Sequence, residues 1–459
     1  MKKLRYLIYA VLMAWVGLVL LCYTPVSAQE PTWKAGLAKR MITPKKSMWM
    51  AGYATRNKPS SGKIHDLWAK AIVVEDVNGK QLVLISTDLL GIPREIAKNV
   101  CTKLESAFGL SRESIVLNSS HTHSAPVLAG ALHDIYNIDE VEQEKIQVYS
   151  GWLVNELVSL VKEALHNKKS ARLAVGSGFA RFQVNRRNNK ESEITQLSAL
   201  NGPSDYSVPV IKVTDSDGKL IALLMSYACH ATVLDGYEWS GDYVGFAQLE
   251  LERRYGGCQA MFFQGAGADQ NPLPRKSLAR ARQYGKVLAA AVEQVVEDNE
   301  FRPLGSQLKM AFREIQLPLE KIADKVYFEQ LMAENEVPAY TRKWAKRMMG
   351  RMQKGEQIER SYPYPIQCVQ LGDQLIFALG GELVVQYALD LKKVYGKQTI
   401  VFGYSNDVMA YIPSDKILEE GGYEGETSQM VYGLPAKWQK GIEQRIITAC
   451  TELYREVQK

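Results

Sequence analysis

Two apolar runs on either side of a short turn constrain the fold of this chain more than any other sequence feature. The runs Ala69–Glu75 and Gln81–Thr87 are rich in strand-forming residues, and Asn78-Gly79 lies between them. Asn-Gly favours the left-handed backbone that tight hairpin turns require. This stretch therefore predicts two antiparallel strands joined in a β-hairpin.

Strand-like and helical segments alternate along the rest of the chain. Helical periodicity covers Arg94–Phe108, Glu142–His166, Tyr243–Tyr255 and Pro274–Val296, whereas "RLAVGSGFA", "SVPVIKVTD" and "LIALLMSYACHATVL" read as strands. This alternation predicts an α/β (α+β) fold, with a mixed β-sheet core flanked by helices. Functional residues are expected where strands run out into loops.

The first 28 residues have the organisation of a secretory signal. Three basic residues precede the apolar stretch Leu7–Leu21, and small residues at Val26-Ser27-Ala28 suit cleavage by signal peptidase. A membrane anchor is the alternative, but the apolar run is shorter than the roughly 20 residues that span a bilayer. We predict a signal peptide over 1–28 and export to the periplasm or the exterior, leaving 29–459 as a single domain.

The charge balance and the cysteines exclude several classes of protein. The signal carries three of the 56 basic residues, which leaves 53 against 50 acidic ones and implies no nucleic-acid partner. Five cysteines remain, an odd and sparse set that is no disulfide framework, and no CxxC pair indicates structural zinc.

One basic segment differs from its surroundings. Residues 319–353 are predicted to be largely helical and end in "YTRKWAKRMMGRMQ". Interleaved cations and apolar residues are typical of a peripheral membrane contact or an anion site. The alternative is a solvated helix that packs its Trp344 and Met348 face against the protein.

Two histidines stand one residue apart in "NSSHTHSAP", directly after an apolar run. In extended backbone, residues i and i+2 share a face, so His121 and His123 point the same way from a strand end. Converging imidazoles suit a transition metal such as zinc. Such a pair also occurs as structural histidines, so the metal interpretation needs further ligands.

Three more polar residues follow apolar segments. His230 ends "LIALLMSYACH", Asp242 follows Gly241 in front of a helix, and Glu382 follows Gly380-Gly381 within an apolar run. If Glu382 is buried, a metal or another cation must meet it, because an uncompensated buried carboxylate is costly. Asp242 is either a helix N-cap or a functional residue.

The motifs of other hydrolases and of nucleotide binders are absent. The chain has no GxSxG elbow and no HExxH pair, and "QGAGADQNP" fits neither phosphate-binding glycine template. We interpret that segment as a close-packed loop that places Gln264, Asp269 or Asn271 beside a site. Metal-activated water is the chemistry that remains, because zinc lowers the pKa of its bound water to about 7.

The order of these motifs resembles one enzyme family. "GLAKRMITP", "AGYA", "HTHSAP", "NRR", "CHAT", "SGDYVGFA", "GGE" and "YIPSDKILEEGGYEGE" are similar to segments of the neutral, non-lysosomal ceramidases, in sequence and in spacing. The likeness extends over nearly the whole mature chain and concerns the N-terminal catalytic domain of that family. The family's C-terminal immunoglobulin-like domain has no counterpart before Lys459, so we expect the catalytic domain without it.

The resemblance implies a role for individual residues. One zinc ion per chain would be bound by His121, His230, Glu382 and Tyr411. Tyr423 would contact the substrate carbonyl, and His123 and Arg186 would line the same site as catalytic residues. Asp242, Asp269 and Gln270 are expected to supply polar contacts to the substrate. The serine of the family's "GDVSPN" loop is missing from "GAGADQNP".

The implied activity is hydrolysis of an amide bond in ceramide or a related N-acyl compound. Two alternatives stay open: a zinc-dependent carbohydrate-active enzyme (esterase, deacetylase or glycosidase) on the same scaffold, and a non-catalytic surface binding protein. The expected partner is a small-molecule, lipid or glycoconjugate substrate, with no obligate protein partner.

Overall fold

Two mixed β-sheets form the centre of the structure, a computed structural model that describes residues 33–459. The predicted signal peptide lies outside these residues. The strands of the described chain are β1 (Trp33–Met41), β2 (Gly62–Lys63), β3 (Trp68–Glu75), β4 (Gln81–Thr87), β5 (Ile115–Ser119), β6 (Lys169–Phe179), β7 (Gln183–Asn185), β8 (Ser207–Asp215), β9 (Leu220–Tyr227), β10 (Glu238–Trp239), β11 (Gln259–Gln264), β12 (Gln270–Pro272), β13 (Arg302–Pro303), β14 (Leu308–Pro318), β15 (Ser361–Leu371), β16 (Gln374–Leu379), β17 (Glu382–Leu383), β18 (Ile400–Phe402) and β19 (Tyr411–Ile412).

Helices cover the sheets on the outside. Those of the described residues are α1 (Arg94–Phe108), α2 (Glu140–His166), α3 (Asp242–Arg254), α4 (Leu278–Glu297), α5 (Lys325–Ala333), α6 (Ala339–Gln353), α7 (Val385–Tyr395), α8 (Asp415–Glu420), α9 (Ser428–Tyr432) and α10 (Ile442–Gln458). A π-helical turn, Tyr423–Thr427, directly precedes α9.

The larger sheet has the order β11-β9-β8-β6-β1-β3-β4-β5, with β13 beside β6, and the smaller sheet has the order β14-β15-β16-β18. Most neighbours are antiparallel, whereas β4–β5, β9–β11 and β16–β18 are parallel pairs. The predicted hairpin is confirmed: β3 and β4 pair antiparallel, and Gly79 in the turn has φ +80°. The predicted mixed-sheet fold is confirmed as well.

Both faces of the larger sheet are buried, which explains why its strands are apolar along their whole length. Ile72 and Leu84 point into the core between the two sheets, whereas Val73 and Ile85 point outward beneath α1 and α2. Helices α3 and α4 cover the same sheet further along, and α7 and α10 cover the far side of the smaller sheet. The result is a layered helix-sheet-sheet-helix core, in which buried strands read as continuous apolar runs.

The carboxyl ends of several strands meet at Asn118, near the end of β5. The Asn118 side chain accepts from Gln264 N at 2.7 Å and donates to Gly403 O at 2.8 Å and to Ser405 Oγ at 3.1 Å. One buried amide thus joins β5, β11 and the segment after β18. Because these strands end together, the loops that follow them are held at the same edge.

The basic segment packs its apolar face onto the protein. Trp344 and Met348 of α6 are buried, and the Trp344 ring meets Phe328 of α5 at 5.4 Å between centroids. Arg347 and Arg351 of the same helix form ion pairs with acidic side chains. The solvated-helix interpretation therefore describes this segment.

Two further properties concern the cysteines and the hydropathy of the helices. The cysteines of the described residues are all buried and unpaired: Cys101, Cys229, Cys258, Cys368 and Cys450. Among residues 33–459, no helix combines the length and the apolar character that crossing a bilayer requires.

We predict that Asn118→Ala lowers the free energy of unfolding by about 2–5 kcal/mol, because Gln264 N and Gly403 O would each lose a buried partner. Chemical denaturation of the purified variant measures this loss. Asn99→Ala, at an exposed position of α1, is the matched control and should change stability by less than about 0.5 kcal/mol. Equal losses of unfolding free energy in the two variants would contradict this role of Asn118.

Candidate metal centre

His121 lies two residues beyond β5 and has an unusual backbone. Its φ is +59°, a left-handed conformation that costs energy in a non-glycine residue. Its Nδ1 is 2.6 Å from Leu90 O. Because a carbonyl oxygen only accepts hydrogen bonds, Nδ1 carries the proton and Nε2 presents a lone pair.

His230 reaches the same place from the end of β9. Its backbone N–H donates to Gln270 O at 3.0 Å, and its Nδ1 lies 2.7 Å from Gly267 O. The same reasoning gives His230 an Nδ1 proton and an Nε2 lone pair. The glycine-rich loop thus orients an imidazole through a backbone carbonyl.

Glu382 completes the group from β17, which follows strand β16 of the smaller sheet. The two-residue strands β17 and β19 are parallel and pair Glu382 with Tyr411, so these side chains lie beside each other. Gly381 in front of them has φ +69°, and a Cβ there would come within 2.8 Å of Ala410 O. The "GGE" motif therefore reflects a close backbone approach that delivers the carboxylate.

Three lone-pair groups face one another at short range. Glu382 Oε2 is 3.2 Å from His121 Nε2 and 3.1 Å from His230 Nε2, and all three side chains are buried. Burial lowers the pKa of His230 to about 4. Neutral imidazole and ionised carboxylate are the states in which these groups bind a metal.

The donor set fits a divalent cation. Neutral imidazoles whose Nδ1 protons point at backbone carbonyls present only Nε2 lone pairs to this carboxylate and cannot hydrogen-bond to it. A cation between them removes this repulsion, and two histidines with one carboxylate are a known ligand set for zinc. His121, His123 and His230 also form a group whose ligand atoms all lie within 4.8 Å of one another, which is able to hold a metal ion.

His123 stands on the outer side of this group. Its Nε2 is 3.1 Å from His121 Nε2, and its ring packs on Tyr53 at 4.8 Å between centroids. Gly52, with φ +109°, leaves room for the imidazole, since a Cβ there would come within 2.5 Å of it. The "AGYA" motif thus supports the second histidine. Burial lowers the pKa of His123 well below its usual value.

Arg186 and two tyrosines form the next contacts outward. Tyr411 Oη is 3.3 Å from His230 Nε2 and accepts from Arg186 Nη2 at 3.1 Å. The guanidinium lies 5.6 Å from the Tyr411 ring centroid and 5.7 Å from that of Tyr423. Glu424 neutralises Arg186 through a 2.8 Å contact to Nε. Tyr423 is 42 % exposed and therefore marks the side from which the site is reached.

The other three predicted residues contact the protein framework. Asp242 accepts from Leu234 N at 2.8 Å and from Tyr243 N at 2.6 Å. Asp269 accepts from Asn185 Nδ2 and Val385 N, each at 2.9 Å. Gln270 accepts from Ser204 Oγ and donates to Pro203 O. All three side chains are buried, and these partners tie together the loops around Arg186 and His230.

Sequence reasoning missed two tyrosines that touch Glu382. Tyr432 Oη donates to Glu382 Oε1 at 2.5 Å, and Tyr404 Oη lies 3.4 Å from Glu382 Oε2. The Tyr404 ring also packs on His121 at 4.5 Å between centroids, from a backbone with φ +50°. Neither tyrosine belongs to a motif, and only the fold brings them to the carboxylate.

The chain belongs to the family described as neutral/alkaline non-lysosomal ceramidase, N-terminal, whose sequence model matches residues 33–290, more than half of the chain. It is similar to the neutral ceramidase of Drosophila pseudoobscura pseudoobscura, with 27% identity over 241 residues, 49% of this chain and 32% of that protein. The neutral ceramidase of Drosophila melanogaster is 26% identical over 238 residues, with the same coverage. The matched part thus spans about a third of these relatives.

Solved structures share the fold. The crystal structure of neutral ceramidase from Pseudomonas aeruginosa superposes with a TM-score of 0.69 at 19% identity, covering 93% of this chain and 75% of that one. A ceramidase complexed with C2 gives a TM-score of 0.69 at 18% identity, covering 93% and 76%. The layered core is therefore the ceramidase fold.

The buried carboxyl of Asp242 predicts a pH dependence of stability. Burial raises its pKa from 3.8 to about 6. Between pH 4 and 6 the unfolded chain releases this proton while the folded chain keeps it, so stability falls as the pH rises, by about 1.4 kcal/mol per unit. Asp242→Asn removes this term, and asparagine tolerates the φ of +57° at this position.

We expect the difference in unfolding free energy, variant minus wild type, to increase from pH 4 to pH 6 and to be constant above. Denaturant titrations at several pH values measure it. Asp217→Asn, in an exposed turn, is the control and should give a flat difference. A flat difference for Asp242→Asn would show that this carboxyl is ionised in the folded protein throughout.

Proposed function

We propose that this chain is an exported, zinc-dependent hydrolase that cleaves the amide bond of ceramide or a related N-acyl compound. The observation that carries the proposal is the close approach of three buried side chains, because Glu382 Oε2 lies 3.2 Å from His121 Nε2 and 3.1 Å from His230 Nε2. Family membership supports amide hydrolysis as the reaction. The proposal also includes a cleaved signal peptide over residues 1–28, followed by one catalytic domain over residues 29–459.

His121, His230, Glu382 and Tyr411 would hold the metal, with His123 as a neighbouring imidazole. When bound, zinc supplies a Lewis acid and a water of lowered pKa to attack a carbonyl. The carbonyl oxygens of Leu90 and Gly267 accept from Nδ1 of the two histidines and so orient the rings. Metal-ligating histidines are commonly oriented by such a hydrogen bond from the other ring nitrogen.

Two other residues are arranged to act on the substrate. The Tyr423 hydroxyl stabilises the negative charge that develops on the amide oxygen, because a positioned O–H donor is worth more in the transition state than in the ground state. Arg186 holds the Tyr423 and Tyr411 rings under its guanidinium, and Glu424 keeps Arg186 in place.

His123 Nε2 lies 3.1 Å from His121 Nε2, and burial lowers the pKa of its imidazole well below the usual value, so the ring is neutral at rest. His123 would therefore first accept a proton from the attacking water and then pass this proton to the leaving amine. For Asp242, Asp269 and Gln270 we propose positioning of the surrounding loops in place of direct substrate contact, since their polar atoms are bonded to the protein.

Removal of one metal ligand should abolish both metal content and activity. We expect the purified wild type to contain about one zinc per chain by elemental analysis, and His121→Ala and Glu382→Gln to contain less than a tenth of that. Hydrolysis of a fluorescent short-chain ceramide should disappear with chelator and in both variants. His166→Ala, at the exposed end of α2, is the matched control and should keep metal and activity.

A wild-type chain without bound metal, with activity unchanged in both ligand variants, would contradict the proposal. Turnover confined to acylated or intact glycans would assign the same site to a carbohydrate-active enzyme. Metal binding without turnover of either substrate class would indicate a binding protein.

Tyr423→Phe should lower kcat for the short-chain ceramide by about 10²–10³-fold while the zinc content stays at the wild-type value, because it removes one donor to the developing charge. Steady-state kinetics together with metal analysis distinguish this result from loss of the centre. Tyr327→Phe removes a hydroxyl from another exposed tyrosine and should leave kcat unchanged. A Tyr423→Phe variant with wild-type kcat would exclude the assigned role.

A further inference from the structure

The basic helix α6 is connected to the candidate metal centre through Tyr432. The Tyr432 hydroxyl donates to Glu382 Oε1 at 2.5 Å, whereas Glu382 Oε2 faces the two histidines. A free glutamate rotates its carboxylate about the last side-chain torsion, and a donor on one oxygen prevents this. Tyr432 therefore fixes the plane of the Glu382 carboxylate and the direction from which Oε2 meets His121 and His230.

Tyr432 is in turn held by the backbone that follows it. Helix α9 ends at this residue, and Gly433 behind it has φ +82°. Arg347 Nη2 of α6 donates to Gly433 O at 3.0 Å, and Trp344 Nε1 of the same helix donates to Leu434 O at 2.8 Å. A Cβ on Gly433 would come within 2.7 Å of Arg347 Nη2, so the glycine permits this approach.

Arg347 is fixed at its other side by Asp134, a buried residue of the segment that follows "HTHSAP". Arg347 Nε lies 2.9 Å and Nη2 lies 2.6 Å from Asp134 Oδ2. A planar guanidinium bound to a carboxylate through two nitrogens has a defined orientation. A continuous chain of hydrogen bonds and backbone thus runs from Asp134 through Arg347 and Gly433 to Tyr432 and Glu382.

We propose that Tyr432 and Arg347 are positioning residues for the metal centre, with α6 acting as the brace that keeps Tyr432 on Glu382. This inference rests on the metal site of the proposed function. It gives the basic segment a role that its ion pairs and its buried apolar face support. Arg347 acts only through Tyr432, since its hydrogen bonds go to Asp134 and Gly433 and to none of the four residues proposed to hold the metal.

The test is the zinc dissociation constant of the apo-protein, measured by competition with a chromophoric chelator. Tyr432→Phe and Arg347→Gln should each bind zinc about 10–100-fold more weakly than wild type, the usual effect of losing a support of a metal ligand. Unfolding of each apo-variant by denaturant separates this effect from a general loss of stability.

Two matched controls come from the same chain. Arg351→Gln removes a guanidinium from α6 that pairs with Glu356 and Glu359 and does not reach Gly433. Tyr395→Phe removes a half-buried hydroxyl that contacts Thr451. Both should keep the wild-type dissociation constant. Arg347→Lys keeps the charge but loses the two-nitrogen contact, and should bind zinc with intermediate affinity.

The double variant distinguishes a connected chain from two separate effects. If Arg347 acts through Tyr432, then adding Arg347→Gln to Tyr432→Phe weakens zinc binding by less than threefold beyond Tyr432→Phe alone. Additive losses, or wild-type affinity in Tyr432→Phe, would overturn the inference while leaving the metal site intact. A wild type that binds no zinc would overturn the proposed function itself. If Arg347→Gln fails to fold, the zinc affinity of Tyr432→Phe still tests whether Tyr432 positions Glu382.

Discussion

The burial of Glu382 against two imidazole lone pairs is the constraint around which the rest of the structure is arranged. The side-chain contacts of this carboxylate within residues 33–459 are His121, His230, Tyr404 and Tyr432, and none of them is a lysine or an arginine. A carboxylate kept from water without a positive partner is unstable by several kcal/mol. A cation bound between these side chains would offset this cost, and metal binding would then stabilise the fold.

The backbone around the centre carries strain that the two-sheet core has to hold. His121, Tyr404 and Asn406 have φ values between +50° and +65°, and each such residue costs on the order of 1 kcal/mol or more. Asn406 accepts from Leu117 N and Asn118 joins three strand ends, so the strained residues are tied to buried strands. Site residues from distant parts of the chain keep fixed relative positions when each of them is attached to a rigid, buried strand.

The sequence predicted those parts of the site that have local signals. An apolar run that ends in a histidine, or in two glycines and a glutamate, predicts the end of a strand. This pattern identified His121, His230 and Glu382 as candidate site residues. Helix α1 was predicted with its observed bounds, whereas α4 begins at Leu278 and not at Pro274, because the Ser277 side chain caps it. Tyr404 and Tyr432 were missed because only long-range packing brings them to Glu382. A sequence also does not tell whether Asp242 or Asp269 bonds backbone amides or faces a cleft.

Tyrosines surround the Glu382 carboxylate, although lysine or arginine would bind a carboxylate more strongly. Tyr404, Tyr411 and Tyr432 present hydroxyls that hold oxygen and nitrogen atoms in place without adding a formal charge. Arg186 contacts Tyr411 and is paired with Glu424, a carboxylate that also binds Arg187. A second cation beside Glu382 would compete with a metal for the same carboxylate. Neutral donors leave the negative charge of Glu382 uncompensated, as the proposed metal centre requires.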